Sequence, residues 1–151
     1  MKGEFNAAKQ KAFELFKTSP PRYGDAATWF SRAIELAETH PSLRSQRVPR
    51  GAGRLRRSAA LPGGRPRTGA QVALYNNRSA CRERCDQLEA SLEDCATVLA
   101  ANPTHAKVRR RRARVFEKLG RPVEALTEIC ADLLIQREAF KKAVQAGKQA
   151  P

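Results

Sequence analysis

Lys107 and Arg111 lie four residues apart in the string KVRRRRA. On a helix that spacing places both cations on one face, where they can converge on a single anionic group. A second unusual cluster is ALYNNRSAC, Ala73 to Cys81. Asn76 and Asn77 stand side by side where the surrounding pattern is helical, although asparagine is a poor helix-interior residue because its short amide competes for backbone groups. They mark a helix fault, a turn, or an amide presented to something. Other chemistry is sparse. His40 and His105 are isolated, no paired carboxylates stand out, and no glycine-rich phosphate loop follows a strand. Cys81 and Cys85 are one helical turn apart, but no histidine or second cysteine pair completes a metal-ligand set. The four cysteines read as buried small residues in a reducing compartment. No metal, cofactor or enzymatic activity is expected.

The charge of the chain is uneven. Its 151 residues carry a net +14, yet residues 44–67 alone hold eight arginines and no acid, and without those eight the rest falls to +6. This segment is rich in Gly, Pro and Arg, shows no period and reads as disordered. It could bind nucleic acid or another protein as a basic arm, although it lacks interleaved aromatics for base stacking. No run approaches the length of an apolar membrane span. The N-terminal stretch lacks the apolar centre of a signal peptide. A soluble, cytoplasmic protein is expected.

The elements that must position these residues are all helices. Apolar spacings of three and four run from about Phe5 to Lys17, with Ala8, Ala12, Leu15 and Phe16. A second helix opens near Asp25 and carries Trp29, Phe30, Ala33, Ile34 and Ala37, with both aromatics assigned to the core. Helices resume at about Ala70. DQLE, Asp86 to Glu89, fits an acidic capping box, and the helix that follows ends at Asn102-Pro103. The next spans about Thr104 to Leu119 and stops at Gly120. Pro122 suits a first helical position, followed by Val123, Leu126, Ile129, Cys130, Leu133 and Leu134 as an apolar side. A last, polar helix is expected from Gln136 to Lys148.

Two of these segments superpose when shifted by 34 residues. Asn77 falls on Arg111, Ser91 on Ala125, Cys95 on Ile129, and Ala80 near Ala113. A helix pair with this period is the signature of a tetratricopeptide repeat. YGDAATWFSRAIEL supplies a third copy of the second helix, displaced by roughly 31 further residues. Lengthening a loop roughly tenfold costs only about 2 kcal/mol of closure entropy, so repeats can stack around such an insertion. The expected organisation is a first repeat over 1–43 and an arginine-rich insert over 44–71. Second and third repeats follow over 72–135, and a capping helix and tail over 136–151.

The string ALYNNRSAC…LEDC…NPTHAKVRRRRARVFEKLGR…EAL resembles the chaperone-adaptor, dicarboxylate-clamp branch of the tetratricopeptide family, the branch of heat-shock organising proteins and mitochondrial import receptors. The resemblance covers residues 5–40 loosely and 72–135 well. It implies an all-α, antiparallel helix-pair solenoid of three repeats closed by a C-terminal capping helix. It also implies a monomeric adaptor whose groove holds the acidic C-terminal tail, ending Glu-Glu-Val-Asp, of a heat-shock seventy or ninety chaperone. Asn77 matches the clamp asparagine of the second repeat, and Lys107 and Arg111 match the Lys-x-x-x-Arg of the third. In the first repeat, counting back from ELF places Lys9 on the clamp lysine and Phe13 where the family has asparagine. A rival placement uses Lys2 and Asn6, about two turns from the groove centre. Losing one hydrogen bond to a charged group costs roughly 1.5–3 kcal/mol, about ten- to a hundredfold in affinity. Asp86 stands in place of the usual turn glycine, and Arg82 in place of an aromatic.

Overall fold

A computed structural model describes residues 2–39 and 68–148; the arginine-rich segment, apart from its last residues, and His40 lie outside the described residues. Six helices make up this part: α1 (Lys2–Lys17), α2 (Tyr23–Thr39), α3 (Gly69–Arg84), α4 (Leu88–Ala101), α5 (Ala106–Lys118) and α6 (Pro122–Lys148). No strand occurs among the described residues. Each helix packs on its neighbour in the chain, so three antiparallel pairs stack into an all-α solenoid.

Local chemistry accounts for most helix ends. Thr68 caps α3 from an extended conformation: its side chain accepts from the Gln71 N–H while the Gln71 side chain accepts from the Thr68 N–H. This reciprocal pair satisfies two donors that the helix itself leaves open. Gly120 has φ +68 and closes α5 in the left-handed conformation that glycine adopts without strain. Pro122 opens α6. Asp86, in the turn-glycine position, has φ +60, a conformation that Asp and Asn tolerate better than other side chains. The DQLE capping box does not form. Asp86 is spent on the turn, Gln87 becomes the residue flanking α4, and no side chain caps that helix.

The core is one cluster drawn from the first five helices. Phe30, Ala12, Ala26, Ala33, Cys81, Cys95, Val98 and Val108 are fully buried, with Leu74 next to them. Small residues let α1, α2 and α3 approach closely, and Phe30 fills the space between them. The pairs on either side of the insertion are tied directly. The Tyr75 hydroxyl donates to Glu38 at 2.9 Å, and Arg84 donates to the Tyr23 hydroxyl at 2.7 Å. Burial, together with the Glu38 carboxylate, pushes the Tyr75 hydroxyl above its ordinary pKa.

Three expectations are corrected here. Trp29 is 40% exposed; the α2 face that packs is formed by Ala26, Ala27, Phe30, Ala33, Ile34 and Ala37. The cysteines divide: all four are free thiols, Cys81 and Cys95 are buried, Cys85 is half-buried, and Cys130 is exposed on α6. Burial pushes the Cys81 thiol up to about 12 and raises Cys95 as well. Finally, α6 is one continuous helix through Gln136, because no glycine or proline interrupts it between Pro122 and Gly147. Its predicted apolar side is turned outward: Val123, Leu126, Ile129, Leu133 and Leu134 are all exposed. The face applied to α5 carries Ala125, Glu128 and Asp132 instead, all buried. The acids are there because α5 offers arginines.

Candidate peptide-binding groove

Arg111 is the best-defined of the candidate site residues. It rises from α5 with its side chain 13% exposed and reaches across to α3. Nη1 donates to the Asn76 carbonyl at 3.0 Å, to Asn76 Oδ1 at 2.8 Å and to Ser79 Oγ at 2.8 Å. Its Nε lies 3.3 Å from Glu83 Oε2, buried and without a hydrogen bond. The guanidinium therefore joins the second repeat to the third. Ser79 in turn donates to the Asn76 carbonyl at 2.8 Å. Asn76 thus has its own role in the helix: its amide oxygen and carbonyl both accept from Arg111. That role is invisible in the sequence, where Asn77 draws attention by its register and Asn76 only by its oddity.

Asn77 is half-buried on the next position of α3, beside this joint. Lys107, one turn before Arg111 on the same face of α5, is exposed. Lys9 is exposed on α1, next to buried Ala8. Asn77, Lys107 and Lys9 make no hydrogen bond or ion pair with any described residue. Phe13 points elsewhere. It is half-buried against the core and meets Phe30 edge-on, with ring centroids 5.4 Å apart. Phe13 is a packing residue between α1 and α2, and replacing it with the asparagine of the family pattern would put an amide against an apolar ring. Phe13→Asn is expected to lower stability by about 2 kcal/mol, a part of the usual Phe→Ala loss because the site is half-buried. Urea denaturation checks this; an unchanged midpoint would return Phe13 to the groove.

The arginine run is not a free basic surface. Arg109 and Arg112 both pair with Glu128, each at 3.1 Å, and Arg110 pairs with Asp132 at 2.9 Å. Arg114 and Arg111 share Glu83 from α3. Each of these five guanidiniums meets a carboxylate of a neighbouring helix, so the run staples α5 between α3 and α6. The charge left to meet an incoming anion on this face of α5 is mainly that of Lys107.

A second network supports α3 from the other side. Asp94 of α4 is 2% exposed. It accepts from Arg78 Nε at 2.9 Å and Nη2 at 2.7 Å, and it pairs with Arg82 Nη1 at 2.9 Å. Arg78 Nη1 continues to Ser31 Oγ of α2 at 3.0 Å, and its guanidinium lies over the Tyr75 ring. Arg82, which stands where the family has an aromatic, also donates to the Ala90 carbonyl at 3.1 Å. Through Arg78 this network joins three helices, α4 at Asp94, α3, and α2 at Ser31. The orientation of α3, and with it of Asn76 and Asn77, follows from Asp94 on one side and Arg111 on the other.

No family model matches the chain. Among curated proteins it is similar to Protein DIA2 of Eremothecium gossypii, with 30% identity over 104 residues, 69% of this chain and 15% of that protein. Among solved structures it is similar to the Hsp90 co-chaperone Cns1 from Saccharomyces cerevisiae. That match has a TM-score of 0.57 at 19% identity and covers 96% of this chain and 42% of that one. The chain therefore spans a minor part of each. The likeness to Cns1 extends over nearly all of this chain, and the fold it shows is the stacked helix-pair solenoid described above.

Proposed function

We propose that the chain is a non-enzymatic, cytoplasmic adaptor of co-chaperone type, which holds the acidic C-terminal tail of a heat-shock seventy or ninety chaperone against α1, α3 and α5. The observation that carries this reading is the pair Lys107 and Arg111 on one face of α5. Arg111 is fixed against α3 beside Asn77, and Lys107 is exposed without a partner among the described residues. A terminal carboxylate placed there meets an ammonium and an amide at once, and charge-assisted hydrogen bonds are the stronger kind. Lys9 extends the positive charge to the first repeat, while Phe13 contributes packing. The structural neighbour Cns1 is an Hsp90 co-chaperone, which agrees with this choice of partner.

Calorimetric titration with a peptide ending Glu-Glu-Val-Asp, beside the same peptide amidated at its C-terminus, tests the proposal. The free carboxylate should bind about ten- to a hundredfold more tightly, the worth of one or more charge-assisted hydrogen bonds. Deleting residues 44–67 should leave this binding unchanged. Equal binding of both peptides, or binding that vanishes with the arginine-rich segment, would favour the second reading, a basic scaffold that meets nucleic acid or another protein through its eight arginines.

A further inference from the structure

The Arg111 guanidinium decides which way the Asn76 amide faces. Arginine carries donors only, so the amide atom 2.8 Å from Nη1 has to be the oxygen, Oδ1. The two hydrogens on Nδ2 are then turned to the other side of the amide. They make no hydrogen bond with any described residue, and Nδ2 is not among the atoms shut away without a partner. Arg111 is itself left with one open edge. Nη1 is taken up by Asn76 and Ser79, and Nε is enclosed against Glu83. Nη2 is neither bonded nor enclosed among the described residues. Beside these atoms the face of α3 is low. Ala73, about one turn before Asn76 and Asn77, is exposed and ends at a methyl group.

Four donor groups thus stand open where α3 meets α5. Asn77 and Lys107 already serve the proposed groove; Asn76 Nδ2 and Arg111 Nη2 are used by no described residue. The undescribed residues cannot fill this second pair with a side-chain carboxylate, because all 15 acidic residues of the chain fall in its described part. The acid that does meet Arg111, Glu83, lies on the Nε side and is shared with Arg114. An anion that fits these donors therefore comes from another molecule.

We infer that Asn76 is a ligand-binding residue: its Nδ2 and the Nη2 of Arg111 take the side-chain carboxylate of an acidic last residue in the bound tail, while Lys107 and Asn77 take the main-chain carboxylate. This rests on the proposed function and goes beyond it by naming what the last side chain must be. The two donor pairs are as close as two carboxylates of one residue require. Asn76 and Asn77 are consecutive, and Lys107 and Arg111 are one turn apart, about 6 Å of helical rise. Both donors are of the kind that bind a charged oxygen strongly, one of them as a cation. The amide that the first repeat lacks, with Phe13 packed on Phe30, is supplied by the second repeat instead.

Calorimetric titration of the full chain with two free-carboxylate peptides, one ending Val-Asp and one ending Val-Asn, tests this. The native chain should bind the first about tenfold more tightly, the worth of one charge-assisted hydrogen bond. Asn76→Asp keeps an oxygen for Arg111 but sets a second, charged oxygen where the amide hydrogens were. It should melt no lower than the native chain and reverse the preference. Asn76→Ala, which leaves Arg111 its bonds to the residue-76 carbonyl and to Ser79, should abolish the preference without reversing it. A preference that survives in both variants overturns the role of Asn76, as does a native chain with no preference between the two peptides. A native chain that binds the free and the amidated tail equally fails at the proposed function itself, and the inference falls with it.

Discussion

The Asp94→Ala variant should melt about 10 °C below the native chain, the largest stability loss expected of any single polar substitution here. Asp94 is 2% exposed, and its two oxygens hold two guanidiniums whose own side chains are only 14% and 20% exposed. The net worth of a buried ion pair is small, because desolvation of both partners offsets their attraction. Removing one partner is a different matter. It strands the other charge, at a cost of about 3–5 kcal/mol. Two arginines are stranded here, each partly open to water, so the lower half of that range applies. For a chain of this size each kcal/mol moves the midpoint by roughly 2–4 °C, which leads to the figure above. Circular dichroism melting measures it, and a shift under about 2 °C would mean that water replaces the carboxylate without penalty. The double variant Asp94→Leu with Arg78→Met should recover part of the loss, since it removes one of the two stranded charges along with the carboxylate. The effect should reach the groove as well. Arg78 ties α3 to Ser31 of α2 at 3.0 Å, and without Asp94 the helix that carries Asn76 and Asn77 loses its orienting contact.

What the sequence disclosed and what it withheld divide along a physical line. Helix ends governed by local chemistry were legible: Gly120 with its positive φ, Pro122 at the start of α6, and the stop at Asn102-Pro103. Asp86 was noted in the place of a turn glycine, but its left-handed conformation was not foreseen. The same residue could not also serve a capping box, and choosing between those two local roles needed the backbone. Periodicity revealed the apolar face of α1 because it has a single stripe, applied to α2. It misassigned α6, which offers two possible faces, one apolar and one bearing Ala125, Glu128 and Asp132. The choice was made by the arginines of α5, a pairing between helices that no periodicity records. The candidate site shows the same limit. The spacing of Lys107 and Arg111 was visible, but the Arg111 contacts to Asn76, Ser79 and Glu83 span 28 to 35 residues of sequence. The direction in which Phe13 points depends on Phe30 in another helix.

Lys107→Ala and Arg111→Ala should both weaken binding of a free-carboxylate tail peptide by tenfold or more, yet only the second should lower the melting temperature. The two residues share a face of α5 and a charge, and they differ in what else they do. Lys107 is exposed and makes no hydrogen bond or ion pair among the described residues, so its removal costs the fold nothing beyond a surface substitution, within about 0.5 kcal/mol. Arg111 is 13% exposed and supplies three hydrogen bonds to α3. Its loss leaves Asn76 Oδ1 and Ser79 Oγ without this donor, the Asn76 carbonyl with Ser79 as its remaining side-chain donor, and Glu83 with Arg114 as its remaining partner, at a cost of roughly 1–3 kcal/mol. Measured alone, a binding defect in Arg111→Ala is therefore ambiguous, since a displaced α3 would weaken the groove without any direct contact to the peptide. Lys107→Ala removes that ambiguity because nothing structural depends on it. If Lys107→Ala binds as tightly as the native chain, the carboxylate does not sit on this face of α5, whatever Arg111→Ala shows. If both variants lose affinity and the loss for Lys107→Ala shrinks as salt is raised, the contact is an exposed charge pair screened by ions. The fixed guanidinium then acts as the floor of the site and the free ammonium as its grip.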